Sequence, residues 1–232
     1  MKAIILLIVA LAFAIAPFLS PEFGGIDPER YPIPQRNPPV QPVGWAFSIW
    51  GPIYLWLVAH AAVGAFSFRQ DMEWDKGRIA LAISMAVGAI WLPVALLSPI
   101  WATILIWIML ITALISSYQL ESASPAWIAR WPVAFYAGWL SAASFVSIGL
   151  LLAGFAIVGE FAAAVIALAL ATVFAGFNAY RLKSWPYAVA VAWGLMGIAV
   201  ANLGSAIMLT IAAAVAAIII LGLTALPNKI RS

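Results

Sequence analysis

Residues 43–68 read VGWAFSIWGPIYLWLVAHAAVGAFSF, and this stretch contains no Asp, Glu, Lys or Arg. A helix needs roughly 20 apolar residues to cross a bilayer, with a range of about 17–25. The stretch is long enough to do so. It follows a segment rich in proline, which removes backbone donors and cannot form a long helix. The sequence therefore predicts one transmembrane helix here, preceded by a loop outside the bilayer.

The rest of the chain repeats this pattern. Its 232 residues are 66% hydrophobic and 8% charged, whereas about a quarter of the residues in a soluble domain are charged. Runs that lack Asp, Glu, Lys and Arg and are long enough to span occur at 3–19, 43–68, 79–97, 100–118, 132–154, 161–180, 187–203 and 206–226. We predict an all-α membrane protein, a polytopic helical bundle of about eight transmembrane helices.

The first run has an alternative interpretation. Lys2, the apolar run 3–19 and the small residues Ala14 and Ala16 also fit a cleaved signal peptide. We favour retention of this helix and keep cleavage as the alternative.

Positive charges predict the orientation of the helices. With eight helices, Arg30 and Arg36 fall on one side of the bilayer and the other nine cations fall on the opposite side. An excess of Lys and Arg in short loops marks the cytoplasmic side. We therefore expect a bacterial inner-membrane protein with both termini in the cytoplasm. The nine cations are Lys2, Arg69, Lys76, Arg78, Arg130, Arg181, Lys183, Lys229 and Arg231.

Several functional classes are disfavoured by what the runs lack. There is no Cys, which excludes disulfides, thiolate metal sites and cysteine nucleophiles. No Lys lies inside a run, which excludes a retinal Schiff base, and no carboxylate does, which argues against an ion pump. The cations are spread between the runs, which argues against nucleic-acid binding. We name no catalytic residue and no metal site, and we favour a protein that is not an enzyme while leaving that question open.

His60, the single histidine, lies well inside the run 43–68. An ionisable residue within a membrane span is a functional candidate, and a neutral imidazole can ligate a haem iron or hydrogen-bond a ligand. The alternative, which we favour, is a neutral histidine bonded to a backbone carbonyl or to a Ser or Thr side chain on a neighbouring helix.

Tryptophan is the most unusual component, with 12 residues. Interfacial belts account for some of them, but a buried indole N–H needs an acceptor. On an ideal helix at about 100° per residue, the aromatic residues of 43–68 form two opposite stripes. One stripe contains Trp45, Trp56 and His60, and the other contains Phe47, Trp50 and Tyr54. We expect one stripe to face a cavity, and periodicity does not choose between them.

Two other segments are singled out. The sequences at 131–139 and 185–193 share Trp, Pro, Ala and Trp at a constant offset, which indicates either a duplicated helix pair or convergent interface chemistry. The segment 20–42 is rich in proline and glycine, so it is either a stiff lid over the bundle or a tether. We favour the lid, because long loops in compact proteins are often functional.

The stretch 41–61, QPVGWAFSIWGPIYLWLVAHA, follows this proline-rich segment and resembles the start of the second helix in the TspO/MBR family. This is the family of tryptophan-rich sensory proteins related to the translocator protein. Trp139-LSAAS resembles the family's fifth-helix block, and Trp91 followed by Pro93 resembles its third-helix block. Gly88 and Ser147 stand where the shorter members carry Asn, so the chain resembles the longer, divergent branch.

The resemblance covers about residues 1–155. It implies a TspO-like five-helix core that includes the external loop 20–42, and 156–232 is then an additional three-helix C-terminal segment. It also implies an integral membrane binding or sensory protein that holds a flat hydrophobic ligand, such as a porphyrin or other tetrapyrrole or a sterol- or carotenoid-like lipid, in an aromatic pocket under the first external loop. Matched to this sequence, the implied ligand-binding residues are Trp45, Phe47, Trp50, Tyr54, Trp91 and Trp139.

External Arg30 and Arg36 could pair with propionates of such a ligand, and His60 is the candidate axial or hydrogen-bond ligand. We expect no obligatory cofactor, and a porphyrin- or haem-like molecule is the candidate ligand. The expected partners are the lipid bilayer and a hydrophobic small molecule, with a homodimer or a larger membrane complex left open. The alternative functions are a structural or accessory subunit of such a complex and a passive small-molecule transporter.

Overall fold

The structure is a computed structural model, and it describes residues 1–19 and 25–226. Within those residues the chain folds into nine α-helices and no strand. The helices are α1 (Lys2–Ile15), α2 (Trp50–Phe66), α3 (Met72–Leu97), α4 (Pro99–Gln119), α5 (Ala126–Ala129), α6 (Trp131–Gly154), α7 (Glu160–Leu182), α8 (Trp185–Ala201) and α9 (Ile207–Leu223). Short 3₁₀ helices occupy Ala16–Leu19, Pro28–Arg30 and Gly44–Ile49.

The described helices confirm the predicted fold class, since each of the eight apolar runs coincides with one helix longer than α5. Helices α8 and α9 are apolar but have 17 residues each, the short end of the spanning range. In the part of the chain that the structure describes, six helical segments are long and apolar enough to cross a membrane: Lys2–Leu19, Gly44–Phe66, Met72–Leu97, Pro99–Gln119, Trp131–Gly154 and Glu160–Leu182.

Helix α3 begins earlier than the apolar run 79–97 predicts. The Asp71 carboxylate accepts hydrogen bonds from the N–H groups of Glu73 (2.8 Å) and Trp74 (3.0 Å). A side chain of this type at a helix start satisfies N–H groups that have no partner within the helix. The first turns of α3 are therefore charged and helical, which a search for apolar runs does not detect.

Most of the described cations outside the first loop gather at one end of the bundle, here called the basic end. Lys2 at the start of α1 pairs with Asp75 at 2.5 Å, and Lys183 after α7 donates to the carbonyl of Leu223 at the end of α9 at 3.1 Å. The opposite end, here called the loop end, contains the described part of the first loop, 25–42. Lys229 and Arg231, which the orientation prediction also used, lie outside the described residues.

Helix α6 is the most buried of the described spanning segments, and it packs closely against α8. A Cβ at Gly138 would collide with the backbone carbonyl of Tyr187, so this approach requires glycine. One turn further along α6, the hydroxyl groups of Ser141 and Tyr187 lie 2.8 Å apart, within hydrogen-bonding distance. This parallel pair runs from the basic end to the loop end, and both helices contribute residues to the cavity described next.

Candidate ligand-binding site

The described part of the first loop lies across the ends of α6 and α8. Ile33 N–H donates to the carbonyl of Gly154 at 2.9 Å, and the Asn202 side-chain amide donates to the carbonyl of Pro39 at 2.8 Å. Tyr31 is buried at 5% exposure against α6, and burial raises the pKa of its hydroxyl. These contacts hold the described part of the loop over the ends of α6 and α8, which is the position expected of a lid. Residues 20–24, part of the predicted lid, are outside the described residues.

A cavity lies beneath this loop. Its empty space, including the mouth, is about 570 Å³, and the part that the centre of a water molecule can enter is about 60 Å³. Its surface is mainly apolar, and none of the described residues that line it is charged. The lining residues come from the loop, the 3₁₀ helix, α3, α4, α6 and α8: Gly25, Ile26, Gln41, Pro42, Phe47, Trp91, Ile106, Trp139, Ala142, Ala143, Val146, Ser147, Leu150 and Gly194.

Three of the predicted site residues meet at this cavity. The rings of Phe47 and Trp139 are in edge-to-face contact, with centroids 6.1 Å apart, and Trp91 lines the cavity from α3. The indole N–H of Trp91 donates to the carbonyl of Ala102 at 2.9 Å. The indole N–H of Trp139 is buried and has no hydrogen-bond partner among the described residues. A buried indole N–H usually finds an acceptor, so Trp139, which lines the cavity, has a donor that the described residues do not use.

Trp50 and Tyr54, also predicted, are not among the lining residues. Their rings stack with centroids 5.4 Å apart, and Trp50 touches the edge of Trp139 at 6.2 Å. On their other side Phe13 of α1 contacts Tyr54 at 5.0 Å. Trp50 therefore packs against Trp139 from outside the cavity, and Tyr54 packs in turn against Trp50.

Trp45 lies at the outer surface, where it is 47% exposed. Its ring packs edge-on against Trp193 of α8 with centroids 4.9 Å apart, and the Trp193 indole N–H donates to the carbonyl of Ala46 at 2.8 Å. The structure thus places Trp45 where the 3₁₀ helix meets α8, and the cavity is lined by its neighbour Phe47.

The two aromatic stripes predicted for 43–68 do not run as an ideal α-helix requires. Gly44–Ile49 is a 3₁₀ helix, which has about 3.0 residues per turn instead of 3.6. Pro52 consequently lies in the first turn of α2, where its missing N–H costs little, instead of kinking a longer helix. The predicted position of Trp45 on the same stripe as Trp56 and His60 was therefore wrong, because the prediction assumed that 43–68 forms one continuous α-helix.

The arginines of the loop pair with acids of the same loop. Arg30 lies 3.8 Å from a carboxylate oxygen of Asp27, and Arg36 lies 2.9 Å from one of Glu29. All four side chains are about half exposed or more. Neither arginine lines the cavity, so any contact with a ligand would be at its mouth.

His60 lies away from the cavity, toward the basic end. It is 2% exposed, its Nδ1 donates to the carbonyl of Ile128 at 2.8 Å, and its ring stacks on Trp74 at 5.0 Å. This is the alternative favoured from the sequence, a neutral histidine bonded to a backbone carbonyl. Within 1–19 and 25–226 no three or more His, Cys, Asp or Glu residues lie together as a metal site would require.

Sequence reasoning missed the contributions of Gln41, Ile106 and Gly194. Residue size is the feature of the sequence that could have indicated Gly194. This glycine directly follows Trp193, the last residue of the segment that repeats 131–139, and a small side chain leaves space beside a large one. A Cβ at Gly194 would lie 2.9 Å from the Cβ of Ala142. The lining thus includes α8, which lies beyond the predicted core of 1–155.

The fold defines a class: a helical integral membrane protein, here with a cavity beneath the described part of its first loop. The chain belongs to the TSPO-like protein family, whose model matches residues 2–226. No curated protein and no solved structure matches it. The match extends through α9, and the division into a core at 1–155 and an addition at 156–232 stays a prediction.

Proposed function

We propose that this protein binds a flat hydrophobic ligand, a porphyrin or a molecule of similar shape, in the cavity under the first loop. The proposal rests on an apolar cavity lined by Trp139, whose buried indole N–H has no hydrogen-bond partner in the described part of the chain. Sites for small molecules are mostly apolar, with a few polar groups that fix the orientation of the ligand. Aromatic rings on the ligand can pack edge-on or offset against Phe47, Trp91 and Trp139.

The cavity is too small to enclose a macrocycle as it stands, which supports a movement of the loop when the ligand binds. Small-molecule pockets usually enclose about 300–1,000 Å³, and the 570 Å³ of empty space falls in this range only because it includes the mouth. A macrocycle needs more room than the 60 Å³ that a water centre can enter. Gln41 and Pro42 form part of the lining and come from the loop, so a shift of this segment would widen the site without disturbing the helices.

The distribution of charge supports an orientation. Among the described residues, the loop end has Arg30 and Arg36 as its cations, whereas the basic end has the remainder. We place the basic end and both termini in the cytoplasm of a bacterium, and the ligand entrance on the outside of its inner membrane. Because the chain has no Cys, single cysteines introduced at Asp27 and Glu73 would report the two sides by labelling with an impermeant thiol reagent.

Titration with protoporphyrin tests the proposal. We expect Trp139→Phe to raise the Kd for protoporphyrin at least about fivefold, because the phenyl ring keeps the edge contacts and loses the N–H donor, and one hydrogen bond contributes about 1 kcal/mol. The matched control is Trp101→Phe, since Trp101 is 59% exposed and does not line the cavity. Equal Kd values for both variants and the parent would remove Trp139 from the site, and absence of any saturable binding would reject the function.

A further inference from the structure

A second cavity lies at the basic end and has a different chemistry. About 80 Å³ of it is accessible to the centre of a water molecule. It opens between the start of α6, the turn before it and the junction of α7 with α8. Its lining is Ser117, Glu121, Arg130, Trp131, Ala134, Leu182, Lys183 and Ser184. This set is here called the basic pocket.

Arg130 is fixed in the pocket by the backbone. One of its terminal nitrogens donates to the carbonyl of Glu121 at 2.7 Å, which holds the guanidinium group without neutralising it. Its Nε is buried and has no hydrogen-bond partner among the described residues. A buried donor without a partner is costly, so Arg130 has hydrogen-bonding capacity that the described protein does not use.

Ser184 adds a second unused group. It occupies the residue before α8, where a serine hydroxyl usually accepts a hydrogen bond from the first turn of the helix. Here it makes no such bond, and its Oγ is also buried and without a partner in the described ranges. The Ser184 hydroxyl therefore remains for a ligand, and the positive end of the α8 dipole favours an anion.

Charge also favours an anion. Arg130 and Lys183 line the pocket against one carboxylate, Glu121, which lies at the exposed rim. The Lys183 ammonium donates to carbonyls in and after the last turn of α9, Leu223 and Leu226, so it adds positive charge from a fixed position. An arginine N–H, a hydroxyl and a helix start are the donors that bind phosphate oxygens in proteins.

The position of the pocket fits the polar boundary of a bilayer. Trp131 and Trp185 begin α6 and α8 and touch edge-on with centroids 5.3 Å apart, and Trp185 is 50% exposed. Tryptophan is enriched at the level of the lipid headgroups, where basic pockets between helices bind anionic lipids. We propose that the basic pocket binds a phosphate group, supplied by an anionic lipid headgroup or by free phosphate.

The test compares lipids and variants on the full-length protein. In detergent, we expect phosphatidylglycerol to bind with a lower Kd than phosphatidylcholine, as measured by native mass spectrometry. Arg130→Gln should raise the Kd for phosphatidylglycerol at least about tenfold, because it removes a charge-assisted hydrogen bond. Arg69→Gln is the matched control, since it removes the same charge from an exposed position at the same end.

A second variant keeps the test valid if Arg130→Gln does not fold. Ser184→Ala retains every charge and should raise the same Kd about threefold to tenfold, as expected for one lost hydrogen bond.

Inorganic phosphate distinguishes the two sources of the phosphate group. A rise in Tm with phosphate that Arg130→Gln abolishes shows that the free anion suffices, whereas a response to phosphatidylglycerol alone identifies the lipid. The proposal is overturned if phosphatidylglycerol binds no better than phosphatidylcholine and phosphate has no effect. Equal Kd values for Ser184→Ala, Arg69→Gln and the parent would also overturn it.

Discussion

The two ends of the bundle bury aromatic rings in different ways. Toward the basic end, Trp74 is 1% exposed and lies between the rings of His60, at 5.0 Å, and Phe68, at 4.7 Å. Its indole N–H donates to the carbonyl of Ser124 at 2.9 Å. Arg78 is 3% exposed and donates hydrogen bonds to three backbone carbonyls and to the Asp75 carboxylate. The carbonyls are those of Gly64, Phe68 and Arg69. His60, Phe68, Trp74 and Arg78 are here called the packed cluster.

At the loop end, Phe47, Trp91 and Trp139 surround space instead of filling it. The Trp139 indole N–H has no acceptor among the described residues, whereas that of Trp74 has one. An aromatic group that fills its volume and satisfies its donor stabilises the fold, since both packing and hydrogen bonding are complete. One that leaves both incomplete has capacity for a ligand, and the following variants test whether this distinction holds.

The largest expected effect is on the packed cluster. Trp74→Ala should lower the free energy of unfolding by about 3–5 kcal/mol, because it removes a fully buried ring and leaves a cavity between His60 and Phe68. Denaturant titration in detergent measures it, with Trp101→Ala at an exposed position as the control. Protoporphyrin affinity of the folded fraction should not change. A loss of affinity at unchanged stability would show that the packed cluster, and not the loop-end cavity, binds the ligand.

The converse change fills the loop-end cavity. Ala143 lines it from α6, and Ala143→Leu should raise the Kd for protoporphyrin at least about tenfold, which corresponds to about 1.4 kcal/mol. The free energy of unfolding should change by no more than about 1 kcal/mol, because the added atoms enter existing space. Ala162→Leu, on an exposed face of α7, is the matched control. Unchanged binding in Ala143→Leu would mean that the ligand does not enter this cavity.

The sequence predicts the helices and the setting of His60 more completely than it predicts the cavity at the loop end, for physical reasons. The eight helices follow from hydropathy and from the absence of charge, which are local properties of each run. For His60 the sequence predicts a hydrogen bond to a backbone carbonyl or to a Ser or Thr side chain, because a buried imidazole N–H needs an acceptor, and the structure shows the carbonyl of Ile128 as the partner. The cavity depends on features that no single run contains: the 3₁₀ geometry of Gly44–Ile49, which turns Phe47 inward and Trp45 outward, and the small residue Gly194 on α8.

A smaller effect is expected at His60. His60→Phe keeps the ring against Trp74 and removes the hydrogen bond to the carbonyl of Ile128, so the free energy of unfolding should fall by about 1 kcal/mol. The absorbance spectrum and the Kd of bound haem or protoporphyrin should match those of the parent. A haem absorption band that is present in the parent and lost in His60→Phe would contradict the structural role. It would indicate instead that His60 is an axial ligand.

The smallest effect on stability is expected in the loop. Arg30 and Arg36 form exposed ion pairs, which contribute about 0–1 kcal/mol, so Arg30→Gln together with Arg36→Gln should leave the unfolding midpoint nearly unchanged. If these side chains contact ligand carboxylates at the mouth of the cavity, the double variant will bind protoporphyrin a few-fold more weakly and its dimethyl ester equally well. The difference should shrink with added salt, because exposed charges are screened. Equal affinities of parent and variant for both ligands would contradict the role predicted for the two arginines, and recognition at the loop end would then rest on the aromatic rings and the Trp139 donor alone.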